Sequence, residues 1–287
     1  MAGWTYEWRY RSMGLRISMT TLDPLTALVL VYGVMACVML VLWLVDRWIH
    51  NASIADVGWC AGLVGAVAWY GWSTTGDLER KILLFSMAAL YGGRLGLYIL
   101  LNRVIGKEED ARYQQLRHEW GSLESIRLFA YFQLQAVAVT LFSLPFLVLM
   151  QNVVPPFSLW ELAGFLLWFV AVIGEGFADW QLAQFRSKSW NRDRVCREGL
   201  WFYSRHPNYF FEWLHWWAYV VMAVGASGWL LTWVGPVVMG WALLKATGIP
   251  LAEVQALRSR GEEYRIYQQT TNRFIPWWPK RWPIKRG

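Results

Sequence analysis

The chain has 287 residues, of which 56% are hydrophobic, 17% are aromatic and only 16% are charged. A soluble domain carries about 25% charged residues, so this composition argues against a protein that folds in water. The net charge of +7 does not indicate nucleic-acid binding, because the basic residues lie between long apolar segments and favour contacts with membrane lipids or phosphates. The three cysteines lack metal-ligand spacing and predict reduced structural thiols with no metal site.

Taken in chain order, residues 1–22 combine three arginines with tryptophans and tyrosines and predict an interfacial N-terminal tail. Residues 23–287 are predicted to form a single all-α membrane domain. Its apolar runs are each close to the ~20 residues that cross a bilayer as one helix. They lie at about 24–46, 54–73, 82–104, 128–150, 157–180, 209–226 and 229–247. The sequence therefore predicts a bundle of seven transmembrane helices.

Lysine and arginine in the connections predict the orientation of this bundle. The connections 105–127 and 181–208, and the tail after residue 247, are rich in both residues, whereas 151–156 and 227–228 contain neither. We therefore expect the basic connections and the C-terminus to be cytoplasmic and the N-terminus to lie outside. Residues 105–126 are also a candidate conformational lid.

Several ionisable side chains lie inside the predicted spans. Each costs at least ~2.5 kcal/mol at the centre of a bilayer and is a functional candidate for that reason. Asp56 begins the second span. Tyr91 and Arg94 share one face of the third, and Glu175 and Asp179 share one face of the fifth.

Two further positions extend this pattern towards the cytoplasmic connections. Arg186 lies on the face of Glu175 and Asp179, and Asn208 and Glu212 are one helical turn apart on the sixth span. The three polar stripes predict a shared polar cavity that opens to the cytoplasm. Ion pairs that merely join the helices are the alternative interpretation.

The run "YSRHPN" (203–208) predicts a helix that starts near His206 and Pro207, because proline is favoured in the first turn of a helix. The free N–H groups of that helix, with Arg205 and His206, form a candidate phosphate site. Tyr203 can stack on a flat ring, and Asn208 offers the donor and acceptor that a ribose or carboxamide needs. An interfacial arginine and aromatic belt is the alternative.

Four runs of the chain resemble the steroid 5-alpha-reductase family, and in particular its bacterial branch. They are "GLWFYSRHPNYFFEW" (199–213), the preceding "DWQLAQFR" (179–186), the following "EEYRIYQQTTNRFIPWWPKR" (262–281) and "GKEEDARYQQLR" (106–117). The resemblance extends over roughly residues 50–282 and implies a location in the bacterial inner membrane.

This resemblance implies a seven-helix fold that holds NADPH in a cytoplasm-facing cavity. It also implies hydride transfer to the β-carbon of an α,β-unsaturated ketone in a lipid-like substrate, such as a steroid or an isoprenoid. The positions that match the carbonyl-polarising pair of the family are Asp56 and Tyr91, with aspartate where the family more often has glutamate. Arg94 is predicted to stabilise this pair, which completes the expected catalytic set.

The resemblance implies that four positions bind the cofactor: Asp179, Arg186, Asn208 and Glu212. Glu175 stands at a position where some members of the family have asparagine. Chemistry alone adds Arg205 and His206 for the phosphates. The complete predicted cofactor-binding set is Glu175, Asp179, Arg186, Tyr203, Arg205, His206, Asn208, Tyr209 and Glu212. Membrane lipids are the other expected partners, and no protein partner is predicted.

Two other functions stay open. A shorter Arg-His-Pro-x-Tyr signature also occurs in isoprenylcysteine carboxyl methyltransferases, which use S-adenosylmethionine. Those enzymes place adjacent glutamates at the start of their C-terminal segment, whereas here Glu253 is followed by Val254. A non-catalytic lipid-binding protein is the third possibility, and it needs no nucleotide.

Overall fold

The computed structural model describes residues 22–280, except for residue 192 and the side chains of residues 111 and 112. The interfacial tail predicted for residues 1–22 therefore lies outside the described residues, except for its last position. Within the described part, the chain is helical and has no β-strand; Ser204 and Asn272 form one isolated bridge. The predicted all-α class is confirmed.

Ten α-helices follow one another along the described chain. They are α1 (Pro24–Ile49), α2 (Ile54–Ser73), α3 (Leu78–Ile99), α4 (Ala111–Trp120), α5 (Glu124–Met150), α6 (Leu159–Ser187), α7 (Leu200–Tyr203), α8 (Pro207–Met222), α9 (Val234–Trp241) and α10 (Ile249–Thr270). Two π-helical turns extend α3 and α9, at Leu100–Val104 and Ala242–Ala246. Short 3-10 turns lie at Gly121–Leu123, Ser189–Asn191 and Trp229–Trp233.

Among the described residues, six helical segments are long and apolar enough to cross a membrane, which makes the chain a multi-pass membrane protein by length and composition. They are Pro24–Ile49, Ile54–Ser73, Leu78–Val104, Tyr113–Met150, Leu159–Ser187 and Trp229–Thr270. Several run beyond the predicted spans; Trp229–Thr270, for example, joins a 3-10 turn, α9, a π-helical turn and α10, with bends at residues 247 and 248.

The predicted sixth span corresponds to α8, which is not one of these six segments. Its helix begins at Pro207, where the proline predicted it, and ends at Met222 after 16 residues. At a rise of 1.5 Å per residue, 16 residues span about 24 Å, less than the ~30 Å of a hydrocarbon core. The seven-span topology therefore stays a prediction.

Glycines allow the close helix contacts that position the candidate functional site. A Cβ atom at Gly92 or Gly96 of α3 would lie about 3 Å from atoms of Cys60 and Val64 on α2. A Cβ at Gly164 of α6 would lie 2.6 Å from the carbonyl oxygen of Ala218 on α8. Small residues at these positions let the helices approach closely, as is usual for membrane helices.

Two ion-pair networks tie the ends of the bundle together. At the start of α3, the buried Arg80 binds Glu161 of α6 and donates to the carbonyl oxygen of Asn152 over 2.6 Å. At the other end, Arg117 of α4 binds Asp46 of α1 over 2.6 Å and Glu109 over 2.8 Å. The segment predicted as a candidate lid is thus anchored to the end of α1 in this structure.

Candidate functional site

A hydrogen bond between α3 and α8 lies at the centre of the candidate site. The Tyr91 hydroxyl donates to Oε1 of Glu212 over 2.7 Å, and Trp216 Nε1 donates to the same oxygen over 3.1 Å. Tyr91 is only 1% exposed, whereas Glu212 is half-buried. A buried phenol on α3 is thereby connected to a carboxyl group on α8.

His215 lies against the flat face of the same phenol. The two rings stack with their centroids 4.1 Å apart, and His215 Nε2 lies 3.1 Å from the hydroxyl of Tyr219. Among the described residues, the buried Nδ1 of His215 has no hydrogen-bond partner. This packing fixes the ring plane of Tyr91 and leaves its hydroxyl directed at Glu212.

An ion pair between α3 and α6 lies one helical turn further along α3. Arg94 Nη2 is 2.8 Å from Oε1 of Glu175, whose side chain is 7% exposed. Gly176 leaves room for the arginine, because a Cβ there would lie 3.3 Å from Arg94 Nη1. Within the described part of the chain, Arg94 Nε and Glu175 Oε2 are buried without a hydrogen-bond partner, so both retain binding capacity.

The outer rim of the site joins α6 to α8. Asn208 Nδ2 donates to Oδ1 of Asp179 over 3.0 Å. Arg103 and Arg186 add positive charge around this carboxylate, and Arg186 is exposed near the end of α6. The predicted polar stripes of α3, α6 and α8 thus contact one another through three pairs: Tyr91–Glu212, Arg94–Glu175 and Asn208–Asp179.

Asp56 has a hydrogen-bond partner that the sequence did not indicate. Its Oδ1 accepts a hydrogen bond from the Tyr113 hydroxyl over 3.0 Å, and that hydroxyl lies 2.9 Å from the hydroxyl of Tyr131. Asp56 and Cys60 stand one turn apart on α2, and Cys60 packs against Gly92 and Gly96 of α3. The structure therefore places Asp56 beside Tyr113 of α4 and Tyr91 beside Glu212.

Arg205 and His206 bind the C-terminal part of the chain. The Arg205 guanidinium contacts Glu253 over 2.7 Å and donates to the carbonyl oxygens of Gln268 and Thr271 over 2.7 and 2.8 Å. His206 Nε2 lies 3.4 Å from Glu253 Oε1. Protein groups occupy most of the donors that were predicted to bind phosphate, and the phosphate role stays a prediction.

The two remaining tyrosines of the predicted set lie beside this C-terminal contact. The Tyr203 carbonyl oxygen accepts a hydrogen bond from Trp277 N over 3.1 Å, and the Tyr203 ring meets Trp278 edge-on with centroids 5.4 Å apart. Tyr209 stacks on His206 with ring centroids 5.5 Å apart. The Tyr203 ring contacts the C-terminal segment directly, whereas the Tyr209 ring contacts His206, which lies beside Glu253.

One comparison with known proteins gives a match. A family model described as "Protein of unknown function (DUF1295)" matches residues 42–271, well over half of the chain. The chain belongs to the DUF1295 family. No curated protein matches it, and no solved structure matches it.

The range matched to the DUF1295 family contains every site residue that the sequence predicted. Sequence reasoning missed Tyr113, Trp216 and Glu253 as partners of this site. The run "GKEEDARYQQLR", noticed only as part of the resemblance, contains Tyr113. Glu253 is a charged residue near the start of α10. The need of the buried Arg205 for an acidic partner was the signal that could have identified it.

Among the described residues, no group of three or more His, Cys, Asp or Glu is arranged to hold a metal ion.

The stability of this DUF1295 chain is expected to fall below neutral pH because of His206. Burial lowers the pKa of His206 below its usual 6.5, although the hydrogen bond to Glu253 acts in the opposite direction. The neutral ring therefore stabilises the folded chain above pH 6.5, and this contribution is lost as the pH falls, since the unfolded chain binds the proton more readily. Thermal unfolding midpoints between about pH 7 and about pH 5 measure the effect. His206→Gln is expected to flatten the dependence, and an unchanged slope in that variant would contradict it.

Proposed function

We propose that the chain is a membrane-embedded reductase that uses NADPH to reduce an activated C=C bond, of the enone type, in a lipid-like substrate. The observation that carries the proposal is the meeting of Tyr91, Arg94, Glu175 and Glu212 inside an apolar bundle. So many ionisable groups in a membrane domain indicate a functional site, because each is costly to bury. The resemblance to the steroid 5-alpha-reductase family supports the same reaction.

The residues of the site fit a nicotinamide dinucleotide. Arg94 Nε and Glu175 Oε2, both buried and without a hydrogen-bond partner among the described residues, suit the acceptor and the donor of a carboxamide. The Asp179–Asn208 pair at the rim suits ribose hydroxyls. Arg186, which is exposed at the same rim, suits a phosphate and replaces Arg205 in that role. When bound, NADPH supplies the hydride.

Tyr91 is the residue that acts on the substrate carbonyl. Negative charge develops on that oxygen as the β-carbon is reduced, so a fixed hydrogen-bond donor lowers the barrier. The Tyr91 phenol is buried, and its ring is held between α3 and α8 by the stack with His215. Asp56 and Tyr113 form a second polar pair that can orient the substrate.

The surroundings of the site suit a lipid. Four tryptophans of α2 and α8, Trp59, Trp69, Trp213 and Trp217, are all half-buried. Trp213 Nε1 is fixed by the carbonyl oxygen of Pro236 over 3.0 Å. Rings held in this way offer apolar surface to a sterol or isoprenoid. The basic connections next to the rim support an orientation with the site and the C-terminus on the cytoplasmic side, and the resemblance to the bacterial branch of the family supports a location in the bacterial inner membrane.

Ligand binding to the detergent-purified full-length protein tests the proposal. We expect NADPH to bind and S-adenosylmethionine not to bind. Asp179→Asn is expected to weaken NADPH binding about 10-fold or more, because a hydrogen bond to a charged group contributes about 1.5–3 kcal/mol. Glu79→Gln, which alters an exposed carboxylate at the distant end of α3, is the matched control and should bind as the wild type does.

The other outcomes identify the competing functions. Binding of S-adenosylmethionine alone would overturn the reductase and favour the methyltransferase. Binding of neither nucleotide would favour a lipid-binding protein. Arg205→Ala is a poor probe here, because Arg205 holds the C-terminal segment and its loss disturbs the fold.

A further inference from the structure

We infer that Glu212 supplies the proton that Tyr91 gives to the substrate, and thus has a positioning and proton-supplying role in place of the cofactor contact that the sequence predicted. This inference rests on the proposed reductase function. It starts from the hydrogen bond of 2.7 Å between the Tyr91 hydroxyl and Glu212 Oε1. Tyr91 is 1% exposed, so its hydroxyl does not exchange protons with bulk water directly. Glu212 is half-buried and is therefore the more accessible of the two groups.

The protonation of Glu212 decides where the hydroxyl hydrogen of Tyr91 points. A phenol has one hydrogen, and an ionised Glu212 accepts it, which directs it away from a substrate oxygen. A protonated Glu212 can donate to the phenol oxygen instead, so that the Tyr91 hydrogen becomes available to the substrate. Trp216 Nε1, 3.1 Å from Oε1, keeps the carboxyl group in place in both states.

Tyr91 and Glu212 together supply the proton that the reaction needs. As the β-carbon receives a hydride from the nicotinamide donor, the carbonyl oxygen takes the hydroxyl proton of Tyr91 and becomes an enol. The phenolate takes the proton of Glu212, and Glu212 recovers a proton from water. The enol proton then moves to the α-carbon, so one hydride and one proton have been added across the C=C bond.

Other groups of the site are placed less well for this role. His215 offers Tyr91 a ring face rather than a nitrogen, and its Nε2 is engaged by Tyr219. Asp56 accepts a hydrogen bond from Tyr113. The titratable and charged groups around Glu212 are Cys60 on α2, Tyr91 and Arg94 on α3, Glu175 and Asp179 on α6, and His215 and Tyr219 on α8.

The test measures the pH profile of kcat for Glu212→Gln in the full-length protein. The probes are NADPH with a 4-en-3-one steroid and with an isoprenoid that carries an enone. The wild-type rate is expected to fall as the pH rises, because Glu212 must be protonated. Glu212→Gln is expected to be about 10²-fold slower and to lack this decline, with the NADPH Kd unchanged. The rate difference between H₂O and D₂O should also change in the variant.

Each alternative result has a distinct meaning. A Glu212→Gln enzyme with the wild-type rate and pH profile would overturn the inference and leave the reductase standing. Loss of NADPH binding in the variant would overturn it as well, because Glu212 would then be a cofactor contact. A wild type that reduces neither probe removes the proposed function and the inference with it. If Glu212→Gln does not fold, Glu212→Asp replaces it: a slower rate that keeps the pH decline supports the role, and a wild-type rate opposes it.

Discussion

Tyr91→Phe is expected to lower kcat for enone reduction about 10²–10³-fold, the effect of removing one donor from an oxyanion site. The phenyl ring keeps the stack with His215, at 4.1 Å, and the close contacts of Gly92 with α2. Only the hydroxyl group is lost, and with it the hydrogen bond to Glu212. Steady-state kinetics at saturating NADPH, together with the NADPH Kd, measure the effect. We expect the rate to fall and the Kd to stay unchanged.

Tyr98→Phe is the matched control for this experiment. Tyr98 lies two turns further along the same helix on the same face, but it is 55% exposed. Its hydroxyl is therefore expected to contribute little to the rate. A Tyr91→Phe enzyme as fast as the Tyr98→Phe control would show that Tyr91 does not act on the carbonyl, and would direct attention to Tyr113 and Asp56.

Arg205→Ala is expected to destabilise the protein by about 3–5 kcal/mol, the usual consequence of breaking a buried ion pair by removing one partner. Arg205 is 8% exposed and binds Glu253, Gln268 and Thr271. Its loss leaves the Glu253 carboxylate with fewer partners and frees two carbonyl oxygens at the end of α10. Thermal unfolding of the detergent-purified protein, followed by the fluorescence of its 22 tryptophans, measures the change.

Arg258→Ala is the control, because Arg258 is exposed on the same α10 helix. Limited proteolysis gives a second measurement, and cleavage within 271–280 is expected to accelerate in Arg205→Ala alone. The opposite pattern is also informative. An Arg205→Ala protein with the wild-type unfolding midpoint and lost NADPH binding would contradict the structural role and support the phosphate role that the sequence predicted.

The apolar spans were the part of the fold most open to prediction. Long apolar runs must become helices in a bilayer, because each backbone N–H and C=O needs a partner within its own segment. The start of α8 at Pro207 was likewise predictable, since it depends on the local chemistry of proline. The length of α8 was not: the turn that ends it at Met222 lies inside a run that stays apolar.

The helical stripes of the site were also predictable, but their pairing was not. Spacing alone indicated that Tyr91 and Arg94 share a face, as do Glu175 and Asp179. The partner of each side chain depends on how far α3, α6 and α8 slide and rotate against one another. The structure pairs Tyr91 with Glu212 and Asp56 with Tyr113, whereas the sequence had suggested Tyr91 with Asp56.

The all-α membrane class, the start of α8 and the identity of the polar side chains in the bundle could be inferred without the structure. These follow from composition and from periodicities within single helices, which act over a few residues. The contacts of Arg205 with Glu253 of α10 and of Tyr113 of α4 with Asp56 depend on how the helices pack against one another. Such contacts join residues about 50 positions apart, and helix packing, which no local pattern encodes, brings them together.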